Sequence, residues 1–278
     1  MNRKLLEKIS NDHYDKMAGI VSGLLKGINQ ATIHRFRVEY KKLRAFFRML
    51  SIAEPGVKRI RIQKELKNAY TIAGSIRDLQ LQERRVLKAT LRDSKKPRTY
   101  LNLVQEKIDK LQPELIEILS GNSIEKSRRK TGRLLPSKFL LSSFRQYVQE
   151  KWELIYAILA SGNFSDSNIH IIRKNLKDLY YNVKQYTGLR QERLSVLVWK
   201  ERDEAWFDKL LMELGSFQDR CNSVALLKAY WLIKSGNYNK TQLERIKKEW
   251  IKDKIARKQS LLQTIRNNFI HPPISSVK

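Results

Sequence analysis

Cysteine occurs once in the 278 residues, at Cys221, so neither an intramolecular disulfide nor a multi-cysteine zinc site can form. Histidine occurs four times (His13, His34, His170 and His271), too few and too scattered to suggest a metal site. Glycine and proline number 11 and 6, and the alternation expected of strands is hard to find. No uncharged apolar run approaches the roughly 18 residues that cross a membrane. The N-terminal segment MNRKLLEKISNDHYDKM carries charge throughout and lacks the apolar centre of a signal peptide. The expectation is a soluble, cytoplasmic protein without membrane insertion.

Acidic residues are also scarce. Asp and Glu total 28 against 56 Lys and Arg, a formal charge of +28. With 41% hydrophobic and 9% aromatic residues the chain can bury a core, so it is no disordered basic tail. Self-repulsion on this scale costs stability and makes sense beside an anionic partner: nucleic acid, an anionic membrane or a phosphate-rich polymer.

Long amphipathic patterns predict an all-α fold. Helices are expected at about 3–26, 30–52, 56–73, 76–93 and 98–120, then at 137–161, 167–187, 191–214, 217–235 and 238–268. Breaks fall at Gly27, Glu54-Pro55-Gly56, Gly74, Pro97 and Gly121, and Pro113 should kink or divide its helix. Residues 121–136, GNSIEKSRRKTGRLLP, show no clean apolar stripe and read as a linker between a first half, 1–120, and a second, 137–278. The cluster Arg128-Arg129-Lys130 is then a solvated part of that linker, and the tail from His271 is loose.

The two halves are related. IHRFRVEYKKLRAFFRML from Ile33 aligns without gaps to IHIIRKNLKDLYYNVKQY from Ile169. His34 matches His170, Arg37 matches Arg173, Lys41 matches Lys177 and Arg48 matches Lys184. Downstream, AGSIRDL from Ala73 pairs with LGSFQDR from Leu214, setting Gly74 against Gly215 and Asp78 against Asp219. An internal repeat of this order implies two helical units about a pseudo-twofold axis.

At about 100° per residue, with His34 at zero, Arg37, Lys41, Arg44 and Arg48 fall between about 280° and 340°. Ile33, Phe36, Tyr40, Leu43, Phe47 and Leu50 occupy a separate apolar sector of about 160–260°. In the second copy His170, Arg173, Lys174, Lys177 and Lys184 form the basic edge, while Ile169, Ile172, Leu176, Leu179, Val183 and Tyr186 form the apolar one. Like charges at this spacing disfavour a helix, and Glu39 and Asp178 lie on other sectors. An extended polyphosphate would supply the counter-charge, with forked contacts from Arg and point charges from Lys. A solvated face is the plainer reading of one basic stripe; its recurrence headed by histidine favours a binding stripe.

The pattern H-x-x-R-x-x-x-K-x-x-R (His34, Arg37, Lys41, Arg44), a Gly-x-x-Arg-Asp turn (Gly74, Arg77, Asp78), and the return of both in the second half resemble the CHAD family, the conserved histidine α-helical domain. The resemblance spans nearly the whole chain. It implies two four-helix units forming one helical bundle domain with a basic groove that binds inorganic polyphosphate without transforming it. Carried onto this sequence, the ligand-binding residues are His34, Arg37, Lys41, Arg44, Arg48 and Arg77, with His170, Arg173, Lys174, Lys177 and Lys184. Association with polyphosphate granules is a further implication. Tyr180 stands where the first copy has Arg44, and Gln218 where it has Arg77, so the second stripe is expected to be weaker, with Lys174 and Lys184 as partial compensation.

Arg61 and Lys64, read as i and i+3 on one helix face, are further candidates for a wall of the groove, with Lys67 at its edge. Asp78 and Asp219 are expected near helix starts, as caps or as partners of an arginine. Trp152, Trp199 and Trp206 are expected in the core. No nucleophile or carboxylate pair is placed by a motif, no phosphate-binding Gly-x-x-x-x-Gly-Lys loop occurs, and the Glu-x-Glu-x-Lys strand of the triphosphate tunnel domains that sometimes accompany CHAD domains is absent. The expectation is a non-enzymatic protein with no cofactor and no metal. The alternative is a nucleic-acid-binding helical protein, although no known nucleic-acid recognition signature is present.

Overall fold

A computed structural model describes residues 1–52, 59–93, 96–190, 204–227 and 237–270, with the side chains of 186–190, 237–238, 268 and 270 left aside. Outside these lie the expected break at Glu54-Pro55-Gly56, the parts 191–203 and 228–235 of expected helices, the tail from His271, Trp199, and the side chain of Tyr186.

The described residues are helical: α1 Arg3–Lys26, α2 Gln30–Leu50, α3 Lys64–Ala89, α4 Arg98–Ser120, α5 Ser123–Gly132, α6 Leu141–Ser161, α7 Asp166–Arg190, α8 Glu204–Leu226 and α9 Asn237–Ile265, followed by a π turn at Arg266–Ile270. None of these helices is long and apolar enough to cross a membrane, and the described residues hold no group of three or more His, Cys, Asp or Glu that could hold a metal ion. They fall into two compact units that meet in sequence between Val148 and Gln149, within α6.

Capping explains where the first two helices begin. The Asn2 carboxamide accepts from the Leu5 amide at 3.0 Å and that of Asn29 from the Thr32 amide at 2.9 Å, satisfying donors that an open helix end leaves bare. In the first unit α1 packs on α2, α2 on α3, and α3 on α4. The apolar face expected for α2 is buried at every one of its six residues, and burial extends further to Ala45, Phe46, Met49 and Glu39. Glu39 is buried because α1 brings His13 to it: His13 Nδ1 and Glu39 Oε1 lie 2.5 Å apart, with Lys42 Nζ 3.6 Å from the other oxygen.

Four expectations need correction, that of Pro113 only in its division of the helix. The break at Gly74 does not occur, since α3 runs unbroken through it, and Asp78 and Asp219 are mid-helix rather than near helix starts. Pro113 lies inside a continuous α4. Residues 121–136 hold α5, which is no solvated linker: Ser127 and Thr131 are fully buried, and the Tyr14 hydroxyl of α1 lies 2.9 and 3.0 Å from their hydroxyls. The composition hid this because only Ile124 among the buried residues of α5 is apolar; hydroxyls do the packing.

In the second unit α7 packs on α8 and α8 on α9. Ile169, Ile172, Leu176, Leu179 and Val183 of α7 are buried as the periodicity requires. Trp152 and Trp206 meet Phe207 edge-on, and both lie within 6 Å of the Phe269 ring, which places these two tryptophans in packing. Asp166 at the start of α7 takes Lys254 and Lys258 of α9 at 2.9 Å each; these contacts hold its carboxyl below the ordinary range against the opposing push of burial.

Candidate anion-binding site

The basic edge of α2 does not face open solvent along its whole length. At its C-terminal end Arg44 and Arg48 line a cavity of about 510 Å³ together with Arg59, Arg61, Lys64, Lys67 and Lys130, with Tyr40, Phe47, Ile60 and Ile62 as the apolar part of the wall. Among the described residues, seven cations and no carboxylate line it. Four elements contribute: α2, the non-helical lead-in to α3, α3 itself, and α5.

The lead-in fits none of the expected helices. Residues 59–63 precede α3, so Arg61 and Lys64 are not neighbours on one helix face; Lys64 opens α3 and Arg61 reaches the cavity from extended chain. Ile60 is buried while Arg59 and Arg61 on either side are exposed. The Ile60 amide donates to Ser51 Oγ at 3.0 Å and the Gln63 amide to Ser127 Oγ at 3.3 Å, pinning the segment between the end of α2 and α5. Arg-Ile-Arg-Ile is an alternation of period two, and it was the signal in the sequence that could have revealed Arg59. Lys130 gave no such signal.

Aromatic rings hold the arginines in place. Tyr40 and Tyr70 stack with centroids 4.2 Å apart. The Arg44 guanidinium lies 5.3 Å from the Tyr70 centroid and 5.8 Å from that of Tyr40, and the Arg37 guanidinium lies 4.8 Å from Tyr70. Burial pushes the Tyr40 hydroxyl up to about 12, so this ring stays neutral across the physiological range. The Arg44 Nε is buried without a hydrogen-bond partner among the described residues.

Not every residue of the stripe joins the cavity. His34 is exposed and Lys41 half-buried; neither lines it. Arg37 turns towards α3 and donates through Nη1 to the Tyr70 carbonyl at 3.1 Å, and Arg77 donates to the Gln30 carbonyl at 3.4 Å, so both arginines tie α2 to α3. Arg128 turns away to Asp15, Glu125 and the Tyr14 ring.

Along α7 two members of the second stripe, His170 and Lys184, have side-chain partners within their own unit. His170 Nδ1 lies 2.7 Å from Gln218 Oε1. Lys184 pairs with Glu204 and sits 4.6 Å from the Tyr180 centroid; its contacts with the Glu204 carboxylate and the Tyr180 hydroxyl push its ammonium up. Lys184 therefore already has a carboxylate counter-ion in this structure. Lys177 lies 5.6 Å from the Tyr181 centroid, and burial, reinforced by the charge of Arg173, lowers its ammonium to about 8. Lys174 is exposed.

An arginine explains the glycine at 74 but not its counterpart at 215. An alanine Cβ at position 74 would stand 1.9 Å from Arg37 Nη1, whereas at position 215 the nearest atom is Arg173 Nη2 at 3.7 Å. Both glycines are mid-helix, where alanine is favoured by about 1 kcal/mol. Gly215→Ala is expected to realise that gain as a rise in melting temperature of about 2–4 °C. Gly74→Ala should gain nothing, because it drives Arg37 off Tyr70. Equal thermal shifts for the two variants would refute the close-approach reading.

Residues 8–228 match the family profile described as the CHAD domain. A search of curated proteins found no match. Among solved structures the chain is similar to the crystal structure of the CHAD domain from the plant Ricinus communis, at 15% identity and a TM-score of 0.62, covering 96% of this chain and 88% of that one. At this identity the likeness bears on the fold alone.

Proposed function

The chain belongs to the CHAD domain family, and from that premise we propose that it binds inorganic polyphosphate without transforming it, chiefly through the cavity of its first unit. The observation that supports this most is the composition of the cavity wall: among the described residues, seven cations and no carboxylate around about 510 Å³. Such a wall would be strongly self-repelling when empty and is matched by a ligand that brings one negative charge per short repeat. Its concave form suits a thin, flexible polyanion. Arg59, Arg61, Lys64 and Lys67 supply mobile point and forked contacts, and Arg44, braced by Tyr40 and Tyr70, supplies a fixed one.

The proposal includes the contrast between units. In the second, Lys184 already has Glu204 as counter-ion, so the first unit should carry most of the affinity. A cytoplasmic setting beside polyphosphate granules is part of the same proposal.

Thermal unfolding in the presence of long-chain polyphosphate tests the reading. Ligand at about 100 times its Kd adds about 2.7 kcal/mol to the folded state, which for a chain of this size is a rise of about 5–10 °C. The same titration repeated with excess duplex DNA at physiological salt separates polyphosphate from nucleic acid. Retention of the shift supports the proposal, and its abolition by DNA makes the protein a nucleic-acid binder instead.

A further inference from the structure

Lys130 lines a second recess as well, of about 500 Å³, with Gln63, Lys126, Arg129, Arg133 and Leu134. No carboxylate among the described residues lines this recess either. Lys126, Lys130 and Arg133 follow one another at i, i+4 and i+7, so they form one edge of α5 about 10 Å long. Glu125, the single acid in α5, is shared between Arg128 and the lining residue Arg129: its carboxylate lies 3.3 Å from Arg128 Nε and 3.4 Å from Arg129 Nε. Lys126, Lys130 and Arg133 make no ion pair among the described residues.

A role in balancing the helix dipole accounts for only part of this edge. Cations in the last turn favour a helix, which covers Lys130 and the capping residue Arg133. Lys126 sits at the opposite end, in the first turns after Ser123, where a positive charge is disfavoured. Gln63 adds a second sign. Its side chain is only partly buried and lines this recess, where a carboxamide can offer N–H donors to an anion. Its backbone is fixed by Ser127, so the residue is held between the two recesses that Lys130 shares.

We propose that the basic edge of α5 is a second phosphate subsite, continuous with the first cavity through Lys130, which makes affinity depend on polyphosphate chain length. A short oligophosphate is satisfied within the first cavity, and a long chain passes Lys130 and engages Lys126 and Arg133. The inference rests on the reading of the first cavity as a polyphosphate site.

The test compares the unaltered chain with Lys126→Gln/Arg133→Gln, titrated separately with tripolyphosphate and with long-chain polyphosphate. Lys130 is left intact because both recesses use it. The double variant is expected to lose about tenfold in long-chain affinity, from two charged contacts, and nothing in tripolyphosphate affinity. Single Lys126→Gln, which replaces one exposed helix former by another, should show the same pattern at smaller size. No change with either probe, or an equal loss with both, overturns the subsite. If neither probe binds the unaltered chain, the first-cavity reading falls, and the subsite with it.

Discussion

Replacing Arg44, Arg61 and Lys64 together by glutamine is expected to weaken long-chain polyphosphate binding about 100-fold at physiological salt. A net hydrogen bond contributes about 1 kcal/mol, and three such losses make about two decades of affinity. The salt dependence should change as well. Each cation that neutralises a phosphate on a single-stranded polyanion contributes about 0.7 to the slope of log K against log salt, so the triple variant should flatten that slope by about 2. Glutamine is a good helix former and keeps part of each aliphatic stem, although the Arg44 guanidinium's contact with the Tyr40 and Tyr70 rings is lost. Circular dichroism should therefore show unaltered helicity. An affinity and slope equal to those of the unaltered chain would return these residues to the class of solvated surface charge.

Glu39→Ala should destabilise the fold by about 3–5 kcal/mol, because it strips a buried histidine of its partner. Glu39 is 6% exposed and His13 7%, so water cannot easily replace the lost contact. Burial by itself would push the Glu39 carboxyl up; the His13 hydrogen bond and the charges of His13, Lys42 and Lys16 outweigh it and hold the group below its ordinary value of 4.5. A carboxyl depressed in the folded state binds its proton more readily when unfolded. Its stabilisation is thus fully present above the ordinary value and is lost as pH falls through the folded one. The gap in denaturant midpoint between the native chain and Glu39→Ala should be widest near neutral pH and narrow below about pH 4. A gap that is absent at neutral pH, or that widens on acidification, would show that the pair does not stabilise the fold in this way.

The contrast between these two predictions shows what the sequence made legible. Helical periodicity sorted α2 correctly, and all six residues assigned to its apolar face are buried. Arg44, Arg48, Arg61 and Lys64 were all singled out in the sequence, and the fold gathers them around one cavity. Periodicity could not show that His13 meets Glu39, since that pairing joins positions 26 apart through the packing of α1 on α2. Gly74 read as a break because glycine disfavours helices; only the Arg37 guanidinium above it explains its presence inside one. Arg37 and Arg77, aligned with the stripe, are committed to backbone carbonyls, a distinction invisible to residue type. The lead-in at 59–63 was missed because a helical period was imposed on a segment whose alternation was two.

α5 is the element whose composition misled most, and its packing limits how the protein can be dissected. A fragment ended at residue 120, where the polar stretch invites a cut, would strand the Tyr14 hydroxyl in an emptied groove and leave Gln63 without Ser127. It would also lose Lys130 from the cavity wall. The boundary between the compact units offers no easier place, since it falls inside α6. Proteolytic nicking within 123–132 should accordingly be slow in the native chain, for a protease needs an extended substrate and this segment is a helix fastened through its hydroxyls. The covalent thread between the halves is therefore part of the first half's architecture, and ligand capture cannot be assigned to one half by simply cutting the other away.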